Sequence, residues 1–110
     1  MRSVETRDHW VVAVIAPHAL EDVHERLSLI GIGDMTASHA MDFDGAVDSG
    51  HRFRGRVVKM SRPRIRIELG CTVDRVESVV SAIRAAAHLA EPDMESPLRV
   101  TVLRTSVNAL

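Results

Sequence analysis

Arg52, Arg54, Arg56, Lys59, Arg62, Arg64 and Arg66 supply half of the fourteen lysines and arginines in a chain of 110 residues, and no acid interrupts them. A guanidinium is a planar fork of donors that matches phosphate, carboxylate and bicarbonate alike, so this run could hold an anion. The plainer reading of the same run is a solvated charged face. The chain just before it is acidic, with Asp42, Asp44 and Asp48, and Gly45, Gly50 and Gly55 punctuate the whole stretch. Residues 42–62 carry little helix or strand periodicity. Loops of that length are uncommon inside a domain, and usually either bind something or are disordered until they do. At its tip Phe53 stands between Arg52 and Arg54, and an aromatic ring flanked by arginines is typical chemistry for a protein contact. After it, alternation along Pro63-Arg64-Ile65-Arg66-Ile67 places Arg64 and Arg66 together, away from Ile65 and Ile67.

The remaining reactive side chains do not converge. The six histidines are scattered, and His18 and His24 are not at i, i+4 spacing, so they read as surface or hydrogen-bonded side chains and no metal site is assigned. Cys71, the single cysteine, rules out an intrachain disulfide, fits a reducing compartment and reads as a small buried apolar residue. No Ser-His-Asp, Cys-His or paired-carboxylate arrangement can be placed from spacing, so the chain is not read as an enzyme. A net charge of −1 draws it neither to nucleic acid nor to an anionic membrane, and Trp10, Phe43 and Phe53 are too few for a base-stacking surface. No apolar run approaches the ~20 residues of a membrane span, and no signal peptide is visible. The expectation is a cytoplasmic protein of one domain, residues 1–110.

The elements that must position the arginines are legible. His9–Ala16 is a nearly continuous, β-branched apolar run, which reads as a strand buried on both faces and central in its sheet. Pro17 ends it and opens a helix with Leu20, Val23, Leu27 and Ile30 on one stripe, stopped by Gly31 and Gly33. Residues 35–43 alternate, as do 63–69, where Ile65, Ile67 and Leu69 face the core. Thr72 caps a second helix, 73–88, striped by Val76, Val79, Val80, Ile83 and Ala87. A last strand follows over 98–104. The order βαββαβ predicts an α+β, ferredoxin-like fold: a four-stranded antiparallel sheet with both helices on one face. The uncovered face carries apolar side chains, which predicts burial by self-association.

Leu20-Glu21-Asp22-Val23 and Leu27-Ser28-Leu29-Ile30-Gly31-Ile32 resemble the first helix of the PII signal-transduction proteins. Phe53-Arg54-Gly55, 20 residues beyond Gly33, resembles the tip of the PII T-loop, and Pro63-Arg64-Ile65-Arg66-Ile67-Glu68 the strand after it. The resemblance covers most of residues 10–104. It implies a homotrimer that binds an adenine nucleotide in clefts between subunits, with a T-loop at about 42–62 that docks on a transporter or enzyme. It carries ligand binding to Thr36, to Asp44 and Gly45 at the loop base, to Arg64 and Arg66, and to Arg104; Arg52, Phe53 and Arg54 become partner contacts.

The departures matter as much. Phe53 stands where many members have a modifiable tyrosine. Asp44-Gly45-Ala46 lacks the glutamine that supports Mg-ATP and 2-oxoglutarate. The glycine-rich phosphate loop has become residues 90–96, AEPDMES, with three acids and no glycine. Such a loop repels polyphosphate. These changes resemble divergent PII-like proteins that sense AMP or ADP, in one group together with bicarbonate. The alternative is a ligand-independent or metal-related trimer like the CutA relatives that share the fold.

Overall fold

β1, His9–Ile15, is the centre of the sheet, flanked by β5, Ser61–Cys71, on one side and β6, Arg99–Arg104, on the other, both antiparallel. β2, Thr36–Phe43, closes the order β2-β5-β1-β6. The computed structural model describes residues 7–43, 51–53, 56–58, 61–92 and 99–104, with 51–53 and 56–58 described by their backbone alone.

α1, Leu20–Leu29, follows a 3-10 turn at Pro17–Ala19, and α2, Val76–Ala90, follows another at Val73–Arg75. Both helices cover one face of the sheet. Val23 and Leu27 of α1 and Val79 and Ile83 of α2 pack on Val11, Ala13, Ile15, Ile65, Ile67 and Leu69. The uninterrupted apolar run of 9–16 is explained by this position. Val11, Ala13 and Ile15 point into the core, while Trp10, Val12 and Val14 are half-buried on the open face.

α1 ends as its glycine predicts. Gly31 has φ +85°, its N–H donates to the Ser28 carbonyl, and the Ile32 N–H donates to Leu27, which together form a Schellman motif. A Cβ at Gly31 would meet nothing closer than 3.7 Å, so backbone handedness alone sets the cost of replacing it. Gly31→Ala is expected to lose about 1–2 kcal/mol, seen as a lower denaturation midpoint at unchanged m-value.

Three features differ from the sequence expectation. First, part of the long loop is ordered as a hairpin: β3, His51–Phe53, pairs with β4, Arg56–Val58, with Phe53 opposite Arg56. Second, β2 alternates as expected but neither of its faces is buried, and Met41 and Phe43 are 59% and 62% exposed. It is an edge strand, and the helices pack over β1 and β5 instead. Third, Thr72 is extended and precedes the 3-10 turn, where its hydroxyl donates to the Asp74 carboxylate rather than capping a helix N–H.

Candidate functional site

The open face of the sheet gathers the polar residues into rows. Strand register aligns Thr36, Glu68, Val12 and Thr101 across the four strands, and Ser38, Arg66, Val14 and Arg99 in the next row on the same face. Thr36 and Arg66 are therefore diagonal neighbours, ~7–8 Å apart. Arg66 is half exposed, and its Nε donates to Glu68 Oε1 at 2.9 Å. At the edges of the sheet, Arg99 Nη2 donates to Asp42 Oδ1 at 2.8 Å, an exposed pair of small energetic value.

Thr36 opens into a shallow cavity of about 300 Å³, whose walls include Trp10, Gly33, Glu68, Gly70 and Arg7. Trp10 lies opposite Gly70 in register, and the missing side chain at Gly70 is what lets the indole lie over β5. A Cβ built there would stand 3.3 and 3.4 Å from two ring carbons and 3.6 Å from the Arg7 Cβ. The cavity thus offers an aromatic ring, a hydroxyl, a carboxylate and a cation around one small opening, the mixture that orients a polar heteroaromatic ligand.

Arg64 is placed differently from Arg66. β1 ends opposite Ile65, so Arg64 stands one residue beyond the last β1 pairing. It is buried, and its Nη1 donates to Glu91 Oε1 at 2.6 Å just past the end of α2. The His18 ring holds the same corner, with Nε2 donating to the Ala90 carbonyl at 3.0 Å. Arg64 lies four residues along β5 from Glu68, ~13 Å from the Thr36 row. Alternation sets Arg64 and Arg66 together away from Ile65 and Ile67, but their surroundings differ: Arg66 is half exposed, whereas Arg64, past the end of β1, is buried against Glu91 just beyond α2.

Arg104 is also separated from the others. It is opposite His9, which is opposite Cys71, so its register position is on the helix-covered face, away from Thr36 and Arg66. Arg52 and Phe53 lie in the β3 strand of the hairpin. Asp44, Gly45 and Arg54 fall outside the described residues. Sequence reasoning missed Arg7, Trp10, Glu68 and Gly70. Arg7 reads as part of a polar terminus, and the Trp10–Gly70 contact joins residues 60 apart in sequence that only strand register brings together.

Cys71 is buried beneath this end of the sheet, as expected. Burial pushes its thiol above the ordinary cysteine range. Since the thiolate is the reactive form, Cys71 is expected to react with iodoacetamide at neutral pH at least tenfold more slowly than a free cysteine and to reach that rate only after unfolding. Among the described residues, no three His, Cys, Asp or Glu side chains are grouped to hold a metal, and no helix is long and apolar enough to cross a membrane.

No protein-family model matches the chain. Individual relatives do. The chain is 31% identical over 78 residues to the nitrogen regulatory protein P-II of Rhizobium etli, covering 70% of each protein. It is 29% identical over 79 residues to the nitrogen regulatory protein GlnK of Escherichia coli K12, covering 71% of this chain and 70% of that one. To the P-II protein of Rhizobium meliloti it is 25% identical over 109 residues, 91% of this chain and 97% of that one. Among solved structures it is similar in fold to Arabidopsis thaliana PII bound to citrate, with a TM-score of 0.68 and 22% identity over 93% of this chain and 78% of that one. The α+β sheet of this order, with a hairpin-bearing connection between β2 and β5, is the fold shared with that PII structure. The chain belongs to the PII family.

Proposed function

We propose that this PII protein is a homotrimeric sensor that binds an adenine nucleotide, AMP or ADP, with bicarbonate as a second effector. Nucleotide occupancy then sets how the 42–62 loop engages a transporter or enzyme. The observation that carries this reading is the Thr36 cavity on the open face. Trp10 provides a surface on which a base can stack, worth ~1–3 kcal/mol in comparable contacts. Glu68 can accept from an exocyclic amine, and Thr36 can donate or accept beside it. A neighbouring subunit seated on the half-buried Trp10, Val12 and Val14 would turn this shallow opening into a closed cleft.

Arg52 and Phe53 on the hairpin, with Arg54, are the proposed partner contacts, and Asp44 and Gly45 the proposed link between cleft and loop. The ligand acts by favouring whichever loop state it contacts, so its effect on partner binding is limited by its differential affinity for the two states. Arg66 supplies positive charge on the open face near the proposed subunit boundary, whereas Arg104 stands on the helix-covered face and is left out of this cleft. Arg64 is already engaged, so an anionic effector at that corner must displace the Glu91 carboxylate.

The second reading, a ligand-independent trimer, has that Arg64–Glu91 pair in its favour, since an acid fills the place of an anion. Calorimetric titration with AMP, ADP and ATP, each with and without bicarbonate, separates the two. The sensor predicts saturable heat with AMP or ADP, strengthened by bicarbonate. No heat with any nucleotide selects the ligand-independent trimer. A further expectation is that Phe53→Ala leaves nucleotide affinity within twofold of wild type while weakening capture of the partner; a large loss of nucleotide affinity would remove Phe53 from the partner surface.

A further inference from the structure

The Thr36 cavity continues into a second one. This neighbour, of about 160 Å³, lies where α1 ends and the chain turns from β5 towards α2, and the two share Arg7, Gly33, Asp34 and Gly70. Arg75 forms its far wall. The Arg75 Nη1 donates to the Ile30 carbonyl at 2.6 Å, which fixes the guanidinium at the end of α1 and satisfies a carbonyl that would otherwise repel an anion. Its Nη2 lies over Gly31, where a Cβ would come to 3.7 Å. Arg7 faces the same space, and its nearest described acid, Asp34, is 4.0 Å away with a carboxylate 91% exposed. Two arginines thus border one small polar cavity, contiguous with the opening that the proposed function gives to the base.

At the opposite end of the sheet the chemistry is the reverse. Residues 90–96 contain Glu91, Asp93 and Glu95 and no glycine, and Glu91 already closes on Arg64. That loop offers a phosphate negative charge rather than N–H groups.

We propose that the phosphate of the bound nucleotide is held by Arg7 and Arg75 in this second cavity, which makes a nucleoside monophosphate the preferred ligand. The inference rests on the base occupying the Thr36 cavity. Two forks can bracket a single phosphate group. A triphosphate has more charge than two arginines neutralise beside the Asp34 carboxylate that also lines the cavity, and its length carries it out into solvent.

The test is calorimetric titration of the full chain with adenosine, AMP and ATP, in wild type, Arg7→Gln and Arg75→Gln. Arg7→Gln is the decisive variant, because Arg7 has only the 4.0 Å approach to Asp34 among its described ion pairs, whereas Arg75 also holds the end of α1. AMP is expected to bind roughly tenfold or more tightly than adenosine and more tightly than ATP. Each variant is expected to bring its AMP affinity close to its own adenosine affinity, so that the AMP-to-adenosine ratio is the readout. Arg75→Gln, a change outside the Thr36 cavity, is expected to leave adenosine itself unchanged. Equal affinities for adenosine and AMP in wild type, or an AMP preference that survives Arg7→Gln, would overturn the phosphate site while leaving the base site in place. Failure of adenosine and AMP alike would overturn both the site and the sensor reading it rests on.

Discussion

Arg64→Ala is expected to destabilise the protein by about 3–5 kcal/mol, because it strands the Glu91 carboxylate without its buried partner. The Arg64 side chain is 6% exposed and that of Glu91 18%, so water cannot readily replace the lost fork. The same pair ties the start of the 91–98 segment to β5, and the His18 bond to Ala90 holds the adjacent residue. Replacing both partners by leucine should cost far less than either truncation, since desolvating two charges nearly cancels their attraction. Urea denaturation at fixed protein concentration measures this, the fixed concentration removing any contribution from subunit association. A loss below 1 kcal/mol for Arg64→Ala would show that the pair is solvated in solution. The outcome also bears on function. A residue whose removal unfolds the corner cannot be assigned to ligand binding from a binding assay alone.

Gly70→Val is expected to weaken nucleotide binding by more than tenfold with the fold intact. A Cβ at Gly70 already stands 3.3 Å from the Trp10 ring, so the two further methyl carbons of valine must push the indole off β5 and into the opening beside Thr36. Valine itself suits a strand, and residue 70 is on the open face rather than in the core. Trp10 is the chain's only tryptophan and there is no tyrosine, so its emission reports the displacement directly. The expected pair of results is a shifted Trp10 emission in the free variant and loss of the calorimetric signal with AMP. Unchanged AMP affinity with a displaced Trp10 would mean that the base binds elsewhere.

Most of the fold can be read from the chain because its strongest signals are local. The run from His9 to Ile15 is apolar at every position but one because both of its faces meet protein or the sheet's open side, and that is a property of a central strand. The stripe Leu20, Val23, Leu27 and Ile30 and the alternation of Ile65, Ile67 and Leu69 record the same core from two sides. The hairpin β3–β4 escapes such reading because three-residue strands of the composition HRF and RVV show no alternation against a hydrophobic layer. The site is less legible than the fold for a related reason. Whether Arg64 is exposed or buried depends on where β1 stops and where α2 ends, neither of which is written near position 64. Arg104 is set on the helix-covered face by its register with His9, and Arg7, Trp10 and Gly70 meet only after the sheet is assembled. Thr36 and Arg66 are singled out by resemblance and register makes them diagonal neighbours, but their surroundings are not legible in the chain.

The central claim, that an adenine nucleotide at the Thr36 cavity governs the 42–62 loop, is tested most directly by hydrogen–deuterium exchange of the intact protein with and without saturating AMP. Amide exchange resolves local stability segment by segment, so one experiment reads both the site and its remote effect. The account predicts slower exchange at 33–36 and 68–71, around the cavity, together with a changed rate in the 51–58 hairpin. Protection around the cavity with no change at 51–58 would contradict the coupling, and no protection at 33–36 or 68–71 would contradict the site itself.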